Sequence, residues 1–370
     1  MKILYYFPEY DTLMFKWQRW HFINELEKHG IEFETFNPLV YSNPDEANEL
    51  FVKRIKQGGF DLLLSGVCYE GIIYPEVMQA ANQLGIPSLL ISWDNLTVPI
   101  YDKKQCKLFD LVWLMCRETS RFYDRWGAKY IVQPYAANPD TFVYAEGKLN
   151  RKACFLGTPY GSRSLMINAL TESGIDVDLY FGGCKSSQEK KLVTKYDIVH
   201  PPYHQIFLHR LTYAEGRKVI MGALKNKMIG SQTIQENERL HHYSSVPTTE
   251  ISTVYSNHAI CLASTSTNHT DSLKNPLKIV NLRSFEIAMS GGLALCKYNP
   301  ELAEYFDEEK EILFYQDNYE LIEKARYYTL QASESELRQM KIAARIRAER
   351  KHTWWHRFTR VFNELGIRYE

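Results

Sequence analysis

At 370 residues the chain is too long for one simple core and suits two domains of ordinary size. Hydrophobic residues make up 45% and charged residues 24%, which excludes disordered and membrane-embedded classes. Lys plus Arg equals Asp plus Glu at 44 each, so no global charge points to nucleic acid or an anionic surface.

The chain opens Met1-Lys2-Ile3-Leu4-Tyr5-Tyr6-Phe7 and breaks at Pro8-Glu9. That apolar run is too short for a signal-peptide core and predicts a first buried strand. No apolar stretch reaches transmembrane length. The seven cysteines, Cys68, Cys106, Cys116, Cys154, Cys184, Cys261 and Cys296, form no C-x-x-C pair, and several sit in apolar runs. Reduced core thiols in a cytoplasmic protein are expected, which leaves the sequons at Asn95 and Asn268 without meaning.

Short apolar strands then alternate with helical patterns. Strands are predicted at Lys2–Phe7, Glu32–Phe36, Asp61–Ser65, Ser88–Ser92, Leu111–Met115 and Lys129–Val132. Helices are predicted over Lys16–His29, Pro44–Gln57, Pro75–Leu84 and Arg117–Trp126, with Gly30 and Gly85 at helix ends. Such alternation predicts a parallel sheet covered on both faces. The stretch from Pro134 to Asn150 reads as a linker. A second series starts at Lys152-Ala153-Cys154-Phe155-Leu156-Gly157, with strands at Asp176–Phe181, His258–Ala263 and Gly292–Lys297. Its helices are expected at Arg163–Ser173, Thr249–Tyr255, Ile279–Ser290 and Pro300–Phe306. Residues 200–245 show no clean period and read as an insertion or additional helices. Trp354, Trp355, Phe358, Val361, Phe362 and Leu365 form one apolar helical stripe, which fits packing on a protein core better than a membrane surface.

The most informative stretch runs from Leu277 to Leu302. It sets Glu286 in an apolar helix, ends that helix at Gly291-Gly292, crosses a short strand and reaches Asn299-Pro300-Glu301-Leu302. A carboxylate at Glu286 can accept both hydroxyls of a ribose, and N–H groups at a glycine turn or helix start can face a diphosphate. Taken alone, Glu286 would be a surface carboxylate paired with Arg283 at i, i+3. The glycine pair and the second helix start bring further groups to one edge and favour a nucleotide. Gly157-Thr158-Pro159-Tyr160-Gly161-Ser162-Arg163 offers N–H groups and a guanidinium to phosphate, although neither a Walker A nor a full G-x-G-x-x-G pattern is present. The hydroxyl-rich loop Ser264–Asp271 follows an apolar strand and is expected near a donor sugar or in solvent.

The segment from Ser244 to Tyr315 resembles the donor-binding part of GT-B glycosyltransferases, especially the spore-maturation CgeB-like branch, through its R-x-F-E…G-G…P-E-L pattern. The resemblance implies an α/β fold of two Rossmann-like doubly wound domains facing across a cleft. Its expected domains are 1–150 for acceptor, 151–345 for nucleotide-sugar, and a final helix at 346–370 packing back on the first. It implies that Glu286 binds ribose, that Gly292 and Asn299 to Leu302 line the diphosphate and base, and that Arg283 neutralises phosphate or braces Glu286. One departure stands out. The first glutamate of the usual E-x7-E pair falls at Lys278, where a lysine can contact phosphate as a point charge.

On the other half, Ser92-Trp93-Asp94-Asn95 follows a strong strand, so Asp94 lies at a carboxyl edge where active groups collect. It is the candidate base, or else the N-cap of a following helix. Glu9, Tyr10 and Asp11, with Ser65 to Glu70, are candidates for shaping an acceptor pocket. No convincing metal site emerges: Asp176-Val177-Asp178 leads into a strand, and His200, His204, His209, His241 and His242 lack ligand spacing. The expected activity is therefore metal-independent sugar transfer from a nucleotide-diphosphate sugar to a glycan, protein or small-molecule acceptor, with no cofactor and retention of configuration preferred. A sugar-nucleotide epimerase and a non-catalytic nucleotide-sugar binder are the alternatives.

Overall fold

The computed structural model describes residues 1–10, 13–68, 72–145, 147–182, 195, 201–229, 233–267 and 270–369. The chain divides into two compact units. One comprises the described residues among 1–134, 188–217 and 354–370, and the other those among 135–187 and 218–353. The stretch expected as a linker, up to Asn150, thus belongs to the second unit.

In the first unit β1 (Lys2–Tyr6) leads into α1 (Leu13–Gln18), a π-helical turn over Arg19–Ile23, and α2 (Asn24–Lys28). There follow β2 (Glu32–Phe36), α3 (Pro44–Lys56), β3 (Leu62–Ser65), α4 (Pro75–Gln83), β4 (Ser88–Ser92), β5 (Leu111–Leu114), α5 (Ser120–Trp126) and β6 (Tyr130–Val132). All six strands pair in parallel in the order β2-β1-β3-β4-β5-β6. Every residue of β3 and β4 is buried, as a sheet covered on both faces requires. The strand order reverses between β1 and β3, which sets the ligand-holding crevice at their carboxyl ends.

The second unit begins with β7 (Asn150–Leu156), α6 (Ser162–Glu172) and β8 (Val177–Tyr180). The chain then forms α7 (Tyr203–Leu211), which belongs to the first unit, and α8 (Ala214–Ile229). It continues through β9 (Leu240–Tyr243), α9 (Ile251–Asn257), β10 (His258–Ala263), α10 (Leu282–Met289), β11 (Ala294–Lys297), β12 (Leu313–Tyr315), α11 (Asn318–Arg326) and α12 (Glu334–Lys351). This sheet is also parallel, ordered β12-β11-β10-β7-β8-β9, and its order reverses between β7 and β10. The loops that leave β7 and β10, at Gly157 and Ser264, therefore flank the crevice. Sequence periodicity misses β9 and β12. The first buries only Leu240 at a sheet edge, and the second is an apolar, buried run of only three residues.

The last helix, α13 (Trp354–Leu365), returns to the first unit. Buried Glu25 caps it, its carboxylate accepting the N–H groups of Trp354 at 3.2 Å and Trp355 at 2.9 Å. Trp354 Nε1 donates to His21 Nδ1 at 3.0 Å, and Arg357 Nε donates to the Pro134 carbonyl at 3.1 Å. Trp354, Phe358, Val361 and Phe362 are buried, so the apolar stripe is consumed by packing against Phe22 and Trp113.

Candidate functional site

The second unit gathers its chemistry at the carboxyl ends of β7 and β10. Gly157 ends β7 with φ +123°, where a side chain is strained, and an added Cβ would stand 2.9 Å from Arg283 Nη1. The Arg283 guanidinium therefore lies against the bare backbone of the turn. It sits 6.0 Å from the Phe155 ring centroid, and Arg163 sits 5.9 Å from the same ring. Arg163 also stacks over Tyr160 at 4.2 Å and donates to the Thr158 carbonyl at 3.1 Å. Among the described residues no carboxylate lies within ion-pair distance of either guanidinium. Burial lowers the Arg163 pKa, and the charge of Arg283 pushes the same way. For Arg283 burial works against the charge, yet Tyr255 and Glu286 outweigh it and the net direction is up.

Arg283 and Glu286 occupy successive turns of α10, whose start is fixed by Asn281: its Oδ1 accepts the Ser284 N–H at 3.1 Å. Both charges act on buried Tyr255, so the three groups share one neighbourhood. Lys278 lies on the strand-like stretch bridged to Ser266, with the Thr265 carbonyl accepting the Ile279 N–H at 2.8 Å. Its ammonium stands 5.4 Å from the Tyr298 ring, with no carboxylate paired to it among the described residues. Burial and neighbouring Lys297 lower its pKa.

Several backbone donors expected to face phosphate are already used. At the glycine pair, Gly291 N–H bonds the Ala288 carbonyl at 2.9 Å and Gly292 N–H bonds the Ile287 carbonyl at 2.8 Å. This is a helix-terminating turn, and both glycines are buried. Gly291 (φ +71°) also admits the Tyr144 ring where a Cβ would stand. The predicted helix at Pro300–Phe306 is a single 3-10 turn over Leu302–Glu304. Asn299 spends both polar atoms holding it: Oδ1 accepts the Glu301 N–H at 3.0 Å, and Nδ2 donates to the Ile279 carbonyl at 3.0 Å. At the other loop, Gly157 N–H bonds Tyr180 at 2.9 Å and Ser162 N–H bonds Asp271 Oδ2 at 3.2 Å. Asp271 thereby takes the first N–H of α6, while its Oδ1 is buried without a hydrogen-bond partner among the described residues. Sequence named the loop that ends at Asp271 but did not single out this carboxylate, nor Phe155, Tyr160 and Tyr255. Each of those aromatics reads as one more apolar position.

The D-x-D letters are structural here. Asp178 lies buried inside β8 and pairs with Lys152 at 3.0 Å and His258 at 3.0 Å, while Asp176 faces His241 at 3.3 Å and Arg239 at 3.4 Å. His200, Asn268 and His269 lie outside the described residues.

In the first unit Asp94 follows β4 in a tight turn, with its carbonyl accepting the N–H groups of Thr97 and Val98 at 3.1 Å each. Buried Asn95 bolts that turn to the end of β5, donating to the Cys116 carbonyl at 2.6 Å and accepting from Met115 and Cys116. No α-helix begins there, which removes the capping role for Asp94. Its carboxylate is exposed and has no hydrogen-bond partner among the described residues. Desolvation by the surrounding protein raises its pKa. Because the side chain remains open to solvent, this reflects a concave setting rather than a place in the core. Beneath it, Asp102 is fully engaged by Ser92, Tyr123 and Cys68.

The expected acceptor contacts differ from one another. Glu9 is buried and held by Arg19 through two 2.5 Å bonds, so it is a structural ion pair. Tyr10 is half-buried, 5.0 Å from the Phe15 ring. Asp11, Tyr69 and Glu70 lie outside the described residues. A cavity of about 930 Å³ in this unit opens at the amino ends of the strands, beside Asp61, Pro87, Asp110 and Lys129, the edge a doubly wound sheet does not use for ligands.

Residues 205–363 match the model of a family described as glycosyl transferase-like. No curated protein matches the chain. Among solved structures, sucrose-phosphate synthase from Thermosynechococcus elongatus is 13% identical, with 99% of each chain covered and a TM-score of 0.57. Anabaena HepE in complex with UDP-glucose is 10% identical over 99% of each chain, with a TM-score of 0.55. The DNA-modifying enzyme β-glucosyltransferase, studied with and without uridine diphosphoglucose, is 12% identical over 99% of this chain and 100% of its own, with a TM-score of 0.56. The two doubly wound units are thus those of the GT-B glycosyltransferase fold.

Proposed function

We propose that the protein is a glycosyltransferase that moves a sugar from a nucleotide-diphosphate sugar to an acceptor hydroxyl. The observation that carries this reading is the pair of guanidinium ions, Arg283 and Arg163, gathered around Phe155 and the Gly157 turn without a carboxylate partner. Two desolvated cations side by side repel one another, and an anion between them relieves the cost. A diphosphate supplies that anion. Glu286, on the next turn of α10, takes the ribose hydroxyls. Lys278 stands as a further point charge for phosphate or sugar, and Glu301 at the 3-10 turn stays near the base. The glycine pair and Asn299 serve as scaffold.

Cleavage of the anomeric bond builds negative charge on the departing diphosphate and oxocarbenium character on the sugar. Arg283 and Arg163 stabilise the departing charge, so the reading calls for no metal and no cofactor. Asp94, on its fixed turn, accepts the proton of the attacking hydroxyl. Membership of the CgeB-like branch, retention of configuration, a cytoplasmic location and a glycan, protein or small-molecule acceptor are part of the same proposal. UDP donors are the first to try, because the structural neighbours HepE and β-glucosyltransferase carry them.

The test is calorimetric titration of UDP-, GDP-, ADP-, CMP- and dTDP-sugars into the wild type, Glu286→Ala and Arg283→Ala. One nucleotide class should bind, weakened by about ten-fold or more in each variant. If no nucleotide sugar binds, or if both variants bind as well as the wild type, the site assignment fails.

A further inference from the structure

A cavity of about 410 Å³, large enough for a small metabolite, lies wholly within the second unit, at the amino ends of β7 and β10. Gly147, Lys148 and Leu149, which lead into β7, line one side of it. Glu334, Leu337, Arg338 and Lys341 recur at helical spacing, so a single face of α12 lines another. Ser256, near the end of α9, completes the lining. A Cβ at Gly147 would collide with the Asn257 amide, so glycine lets the chain close on that group. The Asn257 Oδ1 is buried there with no hydrogen-bond partner among the described residues.

The residue that calls for a ligand is Lys341. It is only 4% exposed, and its ammonium has three N–H groups to place. Two go to the carbonyls of Ser256 at 2.8 Å and His258 at 2.6 Å. Capping the carbonyl end of α9 explains those bonds and leaves the charge unanswered. No carboxylate pairs with Lys341 among the described residues, and burial lowers its pKa. A buried ion held only by neutral dipoles is costly, and a counter-ion in the adjoining cavity would relieve that cost. Lys148 likewise has no carboxylate partner among the described residues, and Arg338 brings a guanidinium to the same lining. Three cations thus stand against one carboxylate, Glu334, among the described lining residues.

We propose that this cavity binds a small organic oxyanion, a carboxylate or a phosphate ester, whose charge meets Lys341, Lys148 and Arg338. Arg338 offers a planar fork of donors, and the two lysines act as point charges. Leu149 and Leu337 supply apolar surface for the carbon skeleton of the ligand. Substrates of a doubly wound sheet sit at the carboxyl ends of its strands, so an anion at this amino edge is a second ligand and not the sugar donor. What sets this edge apart from the larger cavity of the first unit is the buried, uncompensated cation. The inference stands whether or not the transferase reading holds.

Calorimetric titration of the full chain with inorganic phosphate and with succinate tests the proposal, the two probes separating a phosphate ester from a carboxylate. At least one should bind the wild type, and Arg283→Ala, altered only at the candidate donor site, should retain that binding. Lys148→Ala with Arg338→Ala should weaken it by about ten-fold or more, and Lys341→Met should abolish it. Lys341 also ties α12 to α9, so near-ultraviolet circular dichroism checks the fold of that variant. The exposed pair Lys148 and Arg338 carries the test should Lys341→Met not fold. Binding of neither probe, or binding that Lys148→Ala with Arg338→Ala leaves unaltered, would overturn the proposal. So would binding that Arg283→Ala alone abolishes, since the anion would then belong to the donor site.

Discussion

Asp94 and Asp102 flank one turn-rich stretch and sit in opposite settings. Asp102 is buried and satisfied by two hydroxyls and a thiol, so it holds the base of the loop. Asp94 is exposed, unbonded and fixed in place by Asn95. In Asp94→Asn the donor affinity should be unchanged while kcat falls by about 10²- to 10⁴-fold, the usual contribution of a positioned base. The pH dependence has a definite sign. A base works deprotonated, and desolvation raises this carboxyl, so kcat/KM of the wild type should fall with decreasing pH at a value above that of an ordinary aspartate. A profile that is flat through the mildly acidic range, or a variant at full rate, would remove Asp94 from the mechanism.

At the scale of elements, α10 and its terminating turn show how a single motif divides between scaffold and candidate site. The helix is opened by Asn281, carries Arg283 and Glu286 on its near turns, and is closed by Gly291 and Gly292. Gly291→Ala meets two obstacles, a positive φ and the ring of Tyr144. The expected cost is about 1–3 kcal/mol in urea unfolding, with the nucleotide-sugar affinity of the folded protein retained. Loss of affinity without loss of stability would instead return the glycine pair to the ligand site. The same division holds across the second sheet. Its reversal point lies between β7 and β10, and the loops leaving those strands supply Gly157 and Asp271.

At the scale of the whole molecule, the first unit is completed by the end of the chain, because α13 supplies part of its core. Burying Trp354, Phe358, Val361 and Phe362 contributes about 2 kcal/mol each, comparable in sum with a domain's entire net stability. Deletion of everything after Thr353 should therefore abolish the near-ultraviolet circular dichroism of the first unit's tryptophans and its cooperative melting. A truncated protein that melts at the wild-type temperature would show that α13 is dispensable. The sequence by itself determined the parallel sheets and the amphipathic last helix, and it singled out Arg283, Glu286 and Asp94 as candidates. Those features are written in local period and in polar residues set at the ends of apolar runs. It did not reveal β9 and β12, which are short or half-exposed and acquire strand character only by pairing with neighbours. Nor could it apportion hydrogen bonds. Glu9, Asn299 and the glycine N–H groups read as available donors and acceptors, and only tertiary structure assigned them to Arg19, to the 3-10 turn and to helix carbonyls. Whether a polar group is spent or open depends on which distant residues the fold brings within hydrogen-bonding reach, and a linear pattern does not encode that distance.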